Sequence, residues 1–181
     1  MYTCRLSGLL LPLLLMLTVA LNQLSAASQN VTEVIFDGLP DGLTPDTITT
    51  ALSQKVGVTY DKAQLPADRE RVVVRLKDLG YLEADARATV NFIPTGVRLA
   101  YAVKARNRYT VESVRADGVP EADLAAIVTA AKIDQDTPCT QEVIDRLVPA
   151  LAPKLGVNVL YIEAQWKLNA DKKQAVLILR K

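Results

Sequence analysis

A stretch of small and polar residues between positions 84 and 92 has the pattern that best supports a binding chemistry. Ala84, Ala86 and Ala88 alternate with polar side chains, and this period of two predicts a half-buried β-strand. The stretch contains no proline, so at a sheet edge its main chain could exchange hydrogen bonds with an extended peptide. The alternative is that the alanines simply face a layer of helices. The candidate partner-binding residues on this strand are Ala84, Ala86, Arg87, Ala88, Thr89 and Asn91.

Elsewhere in the chain, isolated side chains suggest a site. Arg106 and Arg108, with Asn107 between them, could bind an acidic partner or a lipid headgroup, although such a run is also typical of a solvated turn. Cys139 could be a reactive thiol near a helix start, or a packed and inert cysteine. Trp166 could anchor a partner, or could belong to a core.

The composition gives no support for catalysis or metal binding. The chain contains no histidine, which removes imidazole ligands, Ser-His and Cys-His nucleophile pairs and the usual proton shuttle near neutral pH. Asp134 and Asp136 lie close together but lack the glycine and the glutamate of a calcium loop. We therefore expect a protein that is not an enzyme, with no cofactor and no metal site.

The N-terminal residues predict export. Arg5 is the only charge in this region, residues 6–21 are almost continuously apolar, and small residues end at Ala27. We expect a signal peptide over residues 1–27, although an uncleaved segment of this length could also span a bilayer. Without Arg5, basic and acidic side chains are equal in number, which gives no electrostatic reason to expect a nucleic-acid partner. A single cysteine then remains, so no internal disulfide can form.

The first half of the chain predicts a strand, two helices and a β-hairpin. Pro45 at the first helical position favours the first helix. Gly80 can end the second helix, because glycine readily adopts the left-handed conformation. The predicted elements are, in order, a strand at 31–36, a helix from Pro45 to Val56, a helix at 65–79, and strands at 84–92 and 97–103.

The same order of elements then starts again. Asp37–Pro40 and Asp117–Pro120 share the pattern Asp-Gly-apolar-Pro, 80 residues apart, and Gly156 ends a helix as Gly80 does. Agreement in the whole order of elements indicates an internal repeat. The predicted elements of the second copy are a strand at 109–114, helices at 124–131 and 144–155, and strands at 159–168 and 175–179.

The repeat predicts an α+β protein of two tandem β-α-α-β-β domains, at 28–106 and 107–181. Each domain should contain a three-stranded mixed sheet with two helices on one face. Pro149 and Pro153 lie inside the last helix, so we expect a kink or a shortened helix there. The expected core residues are Ile35, Ile48, Leu52, Val72, Leu76, Val90, Leu99 and Tyr101 in the first domain, and Val114, Leu124, Val128, Ile144, Leu147, Leu151, Trp166 and Ile178 in the second.

This arrangement resembles the polypeptide-transport-associated (POTRA) domain. The resemblance lies in Val34–Gly38, in Leu76–Tyr81 and in the junction from Val103 to Val111, and it is strongest from residue 31 to residue 120. It implies periplasmic domains that precede an outer-membrane β-barrel, as in BamA-type assembly factors, and that bind polypeptides partly by adding a strand to a sheet edge. We expect a departure from that layout, without a barrel after Lys181, and Val157 stands where the first copy has a tyrosine.

From the resemblance we expect an exported polypeptide-binding or scaffold module linked to outer-membrane protein assembly or secretion. Its partners would be client polypeptides or an outer-membrane β-barrel protein, and it would lie in the periplasm at the outer membrane. It would be membrane-associated through partners or through an uncleaved signal. The alternative is a membrane-anchored structural module of an envelope complex, similar to a division protein. Proline at Arg87 or Thr89 should block peptide binding if the N–H there points outward, and should unfold the hairpin if it points inward.

Overall fold

The computed structural model describes residues 29–181, so the predicted signal peptide lies outside the described residues. Two β-α-α-β-β units follow one another along the chain. The first unit consists of β1 (Val31–Asp37), α1 (Pro45–Thr49), α2 (Leu65–Lys77), β2 (Asp85–Ile93) and β3 (Gly96–Lys104). The second consists of β4 (Thr110–Ala116), α3 (Glu121–Ala130), α4 (Gln141–Leu155), β5 (Glu163–Asn169) and β6 (Gln174–Arg180).

Each unit is built on its own three-stranded mixed sheet, and the last strand of the unit is the central one. The strand orders are β1-β3-β2 and β4-β6-β5. In each sheet the first strand pairs with the central strand in parallel, and the hairpin partner pairs with it antiparallel. The predicted fold class is therefore confirmed.

The helix α2 covers the first sheet with one apolar face. Val72, Val73 and Leu76 are buried at helical spacing and pack into the first core. Gly80 follows with a φ of 94°, and the N–H of Tyr81 turns back to the carbonyl of Leu76. This stop directs the chain back towards the edge of the sheet, where β2 begins.

A buried carboxylate ties the segment after α1 to α2. Asp68 has no exposed side-chain surface, and its oxygens accept hydrogen bonds from the N–H groups of Ser53 and Gln54 at 2.8 and 3.0 Å. It also accepts from the Ser53 hydroxyl at 2.8 Å and pairs with Arg71 at 2.6 Å. Burial alone raises the pKa of Asp68, but the hydrogen bonds from Ser53, Gln54 and Arg71 outweigh it and leave the pKa lowered.

Two of the predicted core residues lie on the opposite face of their sheets. The buried positions of β6 are Ala175, Leu177 and Leu179, so Ile178 faces away from the helices. In β1 a register shift follows Val31, which leaves Ile35 on the outer face. Both strands are apolar on consecutive positions, so alternation alone does not identify the buried face.

The first helix is shorter than the sequence pattern predicts, since α1 ends at Thr49 rather than near Val56. Threonine hydroxyls compete for the carbonyls that the helix would use: Thr49 Oγ1 donates to the Pro45 carbonyl at 2.8 Å, and Thr50 Oγ1 donates to that of Thr47 at 3.2 Å. After α1, the N–H groups of Ser53 and Gln54 donate to the carboxylate of Asp68 on α2.

The second unit also differs from its predicted boundaries. The helix α4 is not shortened: it runs for 15 residues through Pro149 and Pro153, both of which are exposed. The carbonyls one turn before the two prolines lose their N–H donors. These carbonyls lie on the solvent side of the helix, and the opposite face is buried. The strand predicted from residue 159 begins only at Glu163, because Val159–Tyr161 form a 3₁₀ turn capped by the Asn158 side chain.

Truncation of the α2 face tests the first core. Replacing the fully buried Leu76 by alanine should lower the free energy of unfolding by roughly 2–5 kcal/mol, because transfer and cavity terms add. The matched control is Val74→Ala on the same helix. Because Val74 is 47% exposed, this change should lower the free energy of unfolding much less. Urea denaturation of the two variants measures the difference, and equal losses would show that the buried face is misassigned.

The carboxylate tie predicts a pH dependence. The pKa of Asp68 in the folded state lies below that of an unperturbed aspartic acid. Its stabilisation is therefore complete above the unperturbed pKa and is lost as the pH falls through the folded-state pKa. Asp68→Asn should cost about 1.5–3 kcal/mol at neutral pH, since charged hydrogen bonds are lost. Denaturation curves in acid should show this difference shrinking, while the exposed control Glu70→Gln stays near wild type. A difference independent of pH would contradict the assignment.

Candidate functional site

The strand β2 lies at the edge of the first sheet, and its register decides which main-chain groups face outward. Ile93 and Gly96 flank a two-residue turn, so the hydrogen-bonded pairs with β3 fall at Ile93 and at every second residue before it. The N–H and C=O groups of the intervening residues point away from β3. These outward residues are Ala86, Ala88, Val90 and Phe92.

Side-chain contacts at Ala86 agree with this register. Its N–H donates to the Asp85 carboxylate at 2.9 Å, and its carbonyl accepts from Arg69 Nε at 2.7 Å. Arg69 also pairs with Asp85 at 3.2 Å, and this hydrogen bond lowers the pKa of Asp85. The N–H and C=O groups of Ala86 are therefore already hydrogen-bonded. Within the described residues, the outward main-chain groups that lack a hydrogen-bond partner begin at Ala88.

The side chains of β2 divide between the two faces of the sheet. Ala84 and Ala86 are buried, and Ala88 packs partly buried against the core. The alanines therefore face the helices, as the alternative interpretation expected. The polar side chains lie exposed on the other face, with their main chain directed at β3; they are Arg87, Thr89 and Asn91.

Small side chains on the helix side leave a groove between α2 and β2. The groove has a volume of about 420 Å³ and is lined by Leu65, Pro66, Arg69, Asp85, Ala86, Arg87 and Ala88. Further along the edge, Phe92 is 67% exposed and lies edge-on to Tyr60, with ring centroids 5.9 Å apart. The groove, the outward main chain and an exposed aromatic ring thus lie along one strand.

The opposite edge of the sheet is closed where β1 begins. The N–H of Val31 donates to the carbonyl of Val58 at 2.7 Å, and its carbonyl accepts from Gly57 at 2.7 Å. The loop at 57–60 thus pairs with the start of β1. The first residue of the β1 edge is therefore already paired, whereas the β2 edge is open from Ala88 onward.

The two candidate arginines do not lie at this edge but at the junction between the units. Arg106 pairs with Glu83 at 3.7 Å, and Arg108 Nε donates to the carbonyl of Leu79 at 3.0 Å. Asn107 donates to the carbonyl of Ala170 at 3.5 Å. The structure therefore brings together Ala84 and the five candidates in β2, and places Arg106 and Arg108 elsewhere.

Four groove residues are not among the candidates from the sequence: Leu65, Pro66, Arg69 and Asp85. Leu65 appears in the sequence as part of an apolar helical stripe, and Arg69 as one of many exposed helical arginines. Their role depends on the register of α2 above β2, and no local pattern encodes that register.

The remaining isolated candidates lie in the second unit. Trp166 packs partly buried against the second core. Cys139 is fully buried, and burial raises the pKa of its thiol to about 12. Asp134 accepts a hydrogen bond from Thr137, and no cluster of metal-binding side chains occurs between residues 29 and 181. In the same range, no helix combines the length and apolar character needed to cross a membrane.

Comparison with known families identifies the first unit. Residues 29–106 match the POTRA family model, described as a surface antigen variable number repeat. The first unit is a POTRA domain. The second unit repeats the order of elements and the sheet topology of the first POTRA domain. No curated protein matches the chain in sequence.

Solved structures with POTRA domains share the fold of the whole pair. POTRA domains 3–5 of Haemophilus influenzae BamA superpose with a TM-score of 0.58 and 16% identity, covering 84% of this chain and 65% of that one. POTRA domains 1–2 of the periplasmic domain of Omp85 from Anabaena give 0.58 and 15%, covering 84% and 94%. BamA from Haemophilus ducreyi lacking POTRA domains 1–3 gives 0.60 and 18%, covering 83% and 29%. The chain thus spans less than two thirds of the first of these structures.

Burial of Cys139 predicts an inert thiol. In the chain from Ser28 onward, whose single cysteine is Cys139, alkylation by iodoacetamide at mildly alkaline pH should be very slow in the native state. Unfolding in urea should restore the rate of a free thiol. Rapid native-state alkylation would show that the cysteine is accessible after all.

Proposed function

We propose that the protein is an exported, non-enzymatic module that binds extended polypeptide at the β2 edge, in outer-membrane protein assembly or secretion. The observation that carries the proposal is the outward main chain of Ala88, Val90 and Phe92, which continues along the edge from the groove under α2, where Ala88 is part of the lining. A guest strand would pair with these groups, and its end nearest Ala88 would place a side chain at the mouth of the groove.

The Arg69–Asp85 pair determines the residue of β2 at which pairing with a guest strand could begin. Since the N–H and C=O of Ala86 are satisfied by these two side chains, a guest strand would pair from Ala88 towards Phe92. Each new hydrogen bond contributes only about 0.5–1.5 kcal/mol net, and ordering the guest costs conformational entropy at every residue. Binding is therefore weak and reversible, which suits a site that passes its client onward.

The assignment to the periplasm rests on two further observations. The first 27 residues have the pattern of a signal peptide. One structure of similar fold belongs to the periplasmic domain of Omp85. The partners we propose are client polypeptides or an outer-membrane β-barrel protein.

The apolar run at 6–21 also supports a second candidate, a membrane-anchored structural module of an envelope complex. The N-terminal sequence of the protein isolated from its native envelope distinguishes the two. A mature chain that begins at Ser28 supports the exported module, and a retained leader supports the anchored one.

Proline substitution at the edge tests strand addition directly. Ala88→Pro and Val90→Pro remove an outward N–H that pairs with nothing in β3, so both variants should fold. Each should weaken binding by about tenfold or more, because a hydrogen bond is lost and the ring obstructs the guest. The probes are an outer-membrane barrel protein diluted from urea and a labelled peptide of alternating apolar and polar residues.

The register supplies matched controls. Asn91→Ala removes an exposed side chain and leaves the outward main chain intact, so its affinity should equal that of wild type. Thr89→Pro removes an inward N–H and should unfold the hairpin, which circular dichroism detects. Unchanged affinity in folded Ala88→Pro and Val90→Pro variants would refute binding at this edge.

A further inference from the structure

The outer face of the second sheet, which is the face away from α3 and α4, has an apolar centre. The central strand β6 buries Ala175, Leu177 and Leu179 against the helices, so its alternate side chains point to the outer face. These are Val176 and Ile178, and both remain partly exposed. A groove of about 470 Å³ lies over them, and we call it the outer groove.

Two cationic side chains flank this apolar centre on opposite sides. Arg115 of β4 lies beside Ile178, and Lys167 of β5 lies beside Val176. Both side chains are exposed and line the outer groove. Neither forms a salt bridge within residues 29–181. The two positions differ by two strand spacings and two residues, which places their Cα atoms about 12 Å apart.

The turn between β5 and β6 closes one end of the outer groove. Lys172 in this turn donates from Nζ to Glu112 of β4 at 3.1 Å. Asp171 of the same turn also lines the groove, and Lys173 of the turn carries the charge that offsets it. Since these two acids and two lysines balance, the groove keeps the positive charge of the two flanking cations.

The first unit does not repeat this arrangement. At the two central positions of its outer face the first sheet has Arg98 and Ala100, and Arg98 pairs with Glu33. Its flanking positions hold Ile35 and Asn91. The first unit therefore neutralises its central cation with its own acid, whereas the second unit presents two cations around an apolar centre.

The outer groove is complementary to an acidic and apolar polypeptide segment. In an extended peptide, alternate side chains share one face, and the first and third of three such side chains lie about 13 Å apart. Two carboxylates at this spacing match Arg115 and Lys167, and an apolar side chain between them would cover Val176 and Ile178. Two partly buried side chains are too small a floor for a lipid acyl chain, so the groove fits a peptide better than a lipid.

We propose that the outer groove is a docking surface for an extended acidic segment of a partner protein, in which an apolar residue lies between two carboxylates. Side chains carry this contact, and it lies in the second unit, so it does not depend on strand addition at the β2 edge. Because the ion pairs are close to solvent, the complex should be weak and sensitive to salt.

Charge reversal tests the docking surface. The probe is a fluorescent peptide containing Glu-Ser-Leu-Ser-Glu, and its anisotropy is measured with the chain from Ser28 onward at low ionic strength. Arg115→Glu and Lys167→Glu should each weaken binding by about five- to tenfold, because attraction becomes repulsion. Both positions are exposed, so folding should persist, as circular dichroism verifies. The double variant should instead prefer the same peptide with lysine in place of each glutamate.

Two variants serve as controls and should bind the peptide as wild type does. Lys77→Glu makes the same charge change at an exposed position of α2, so an equal loss there would indicate attraction to net charge alone. Ala88→Pro blocks the β2 edge, so a loss there would place the acidic peptide at that edge. Either result would overturn the proposal.

Two further outcomes would also contradict docking of a peptide. One is a wild-type chain that does not bind the probe at millimolar concentration and low ionic strength. The other is cosedimentation with phosphatidylglycerol vesicles that is lost in Arg115→Glu and Lys167→Glu and is not competed by the peptide. That result would identify a membrane surface as the occupant of the outer face.

Discussion

The structure depends on the hydrogen bonding of one strand in each unit, since β3 and β6 are paired on both sides. A three-stranded sheet built in this way always has two edges, and each edge carries main-chain groups that must be satisfied. The first unit closes the start of β1 with the loop at 57–60 and caps β2 at Ala86 with two side chains. The rest of the β2 edge, from Ala88 onward, keeps main-chain groups that point away from β3.

The groove in turn depends on the position of α2. Val72 and Leu76 fix the helix on the sheet, and Asp68 joins it to the segment after α1 through two main-chain N–H groups. An isolated buried carboxylate would be destabilising, but here both carboxylate oxygens of Asp68 accept hydrogen bonds. The same helix carries Arg69 to the sheet edge. The residues that pack the core, bind the segment after α1 and cap the sheet edge therefore all lie on α2, which also forms one wall of the groove.

Much of this architecture could be predicted from the sequence, because the repeat and the glycine stops are local signals. The order of elements and the mixed sheets followed from Gly80, Gly156 and the alternation of β2 and β3. What failed were positions decided by tertiary context. Ile178 lies in a strand that is apolar on both faces, and the carboxylate of Asp68 binds Ser53, in the segment after α1, from fifteen residues away in sequence. The position of Arg69 in the groove cannot be inferred from the residues next to it in sequence, because it depends on the register of α2 above β2.

The two units show how a repeat can keep a scaffold and change its surfaces. The hydrogen bonds that close the first strand are main-chain bonds, and they recur at equivalent positions in both copies despite different side chains. Side chains at the junction can differ between the units even where they also pack into a core, as Tyr109 does in the second unit. Glu83 bonds to the hydroxyl of Tyr109, whereas Val159, which lies equally far after the helix-ending glycine of the second unit, is 42% exposed. The same position after a glycine stop therefore holds a carboxylate in a directional hydrogen bond in one unit and an exposed apolar side chain in the other, although both glycines have a positive φ and end a helix.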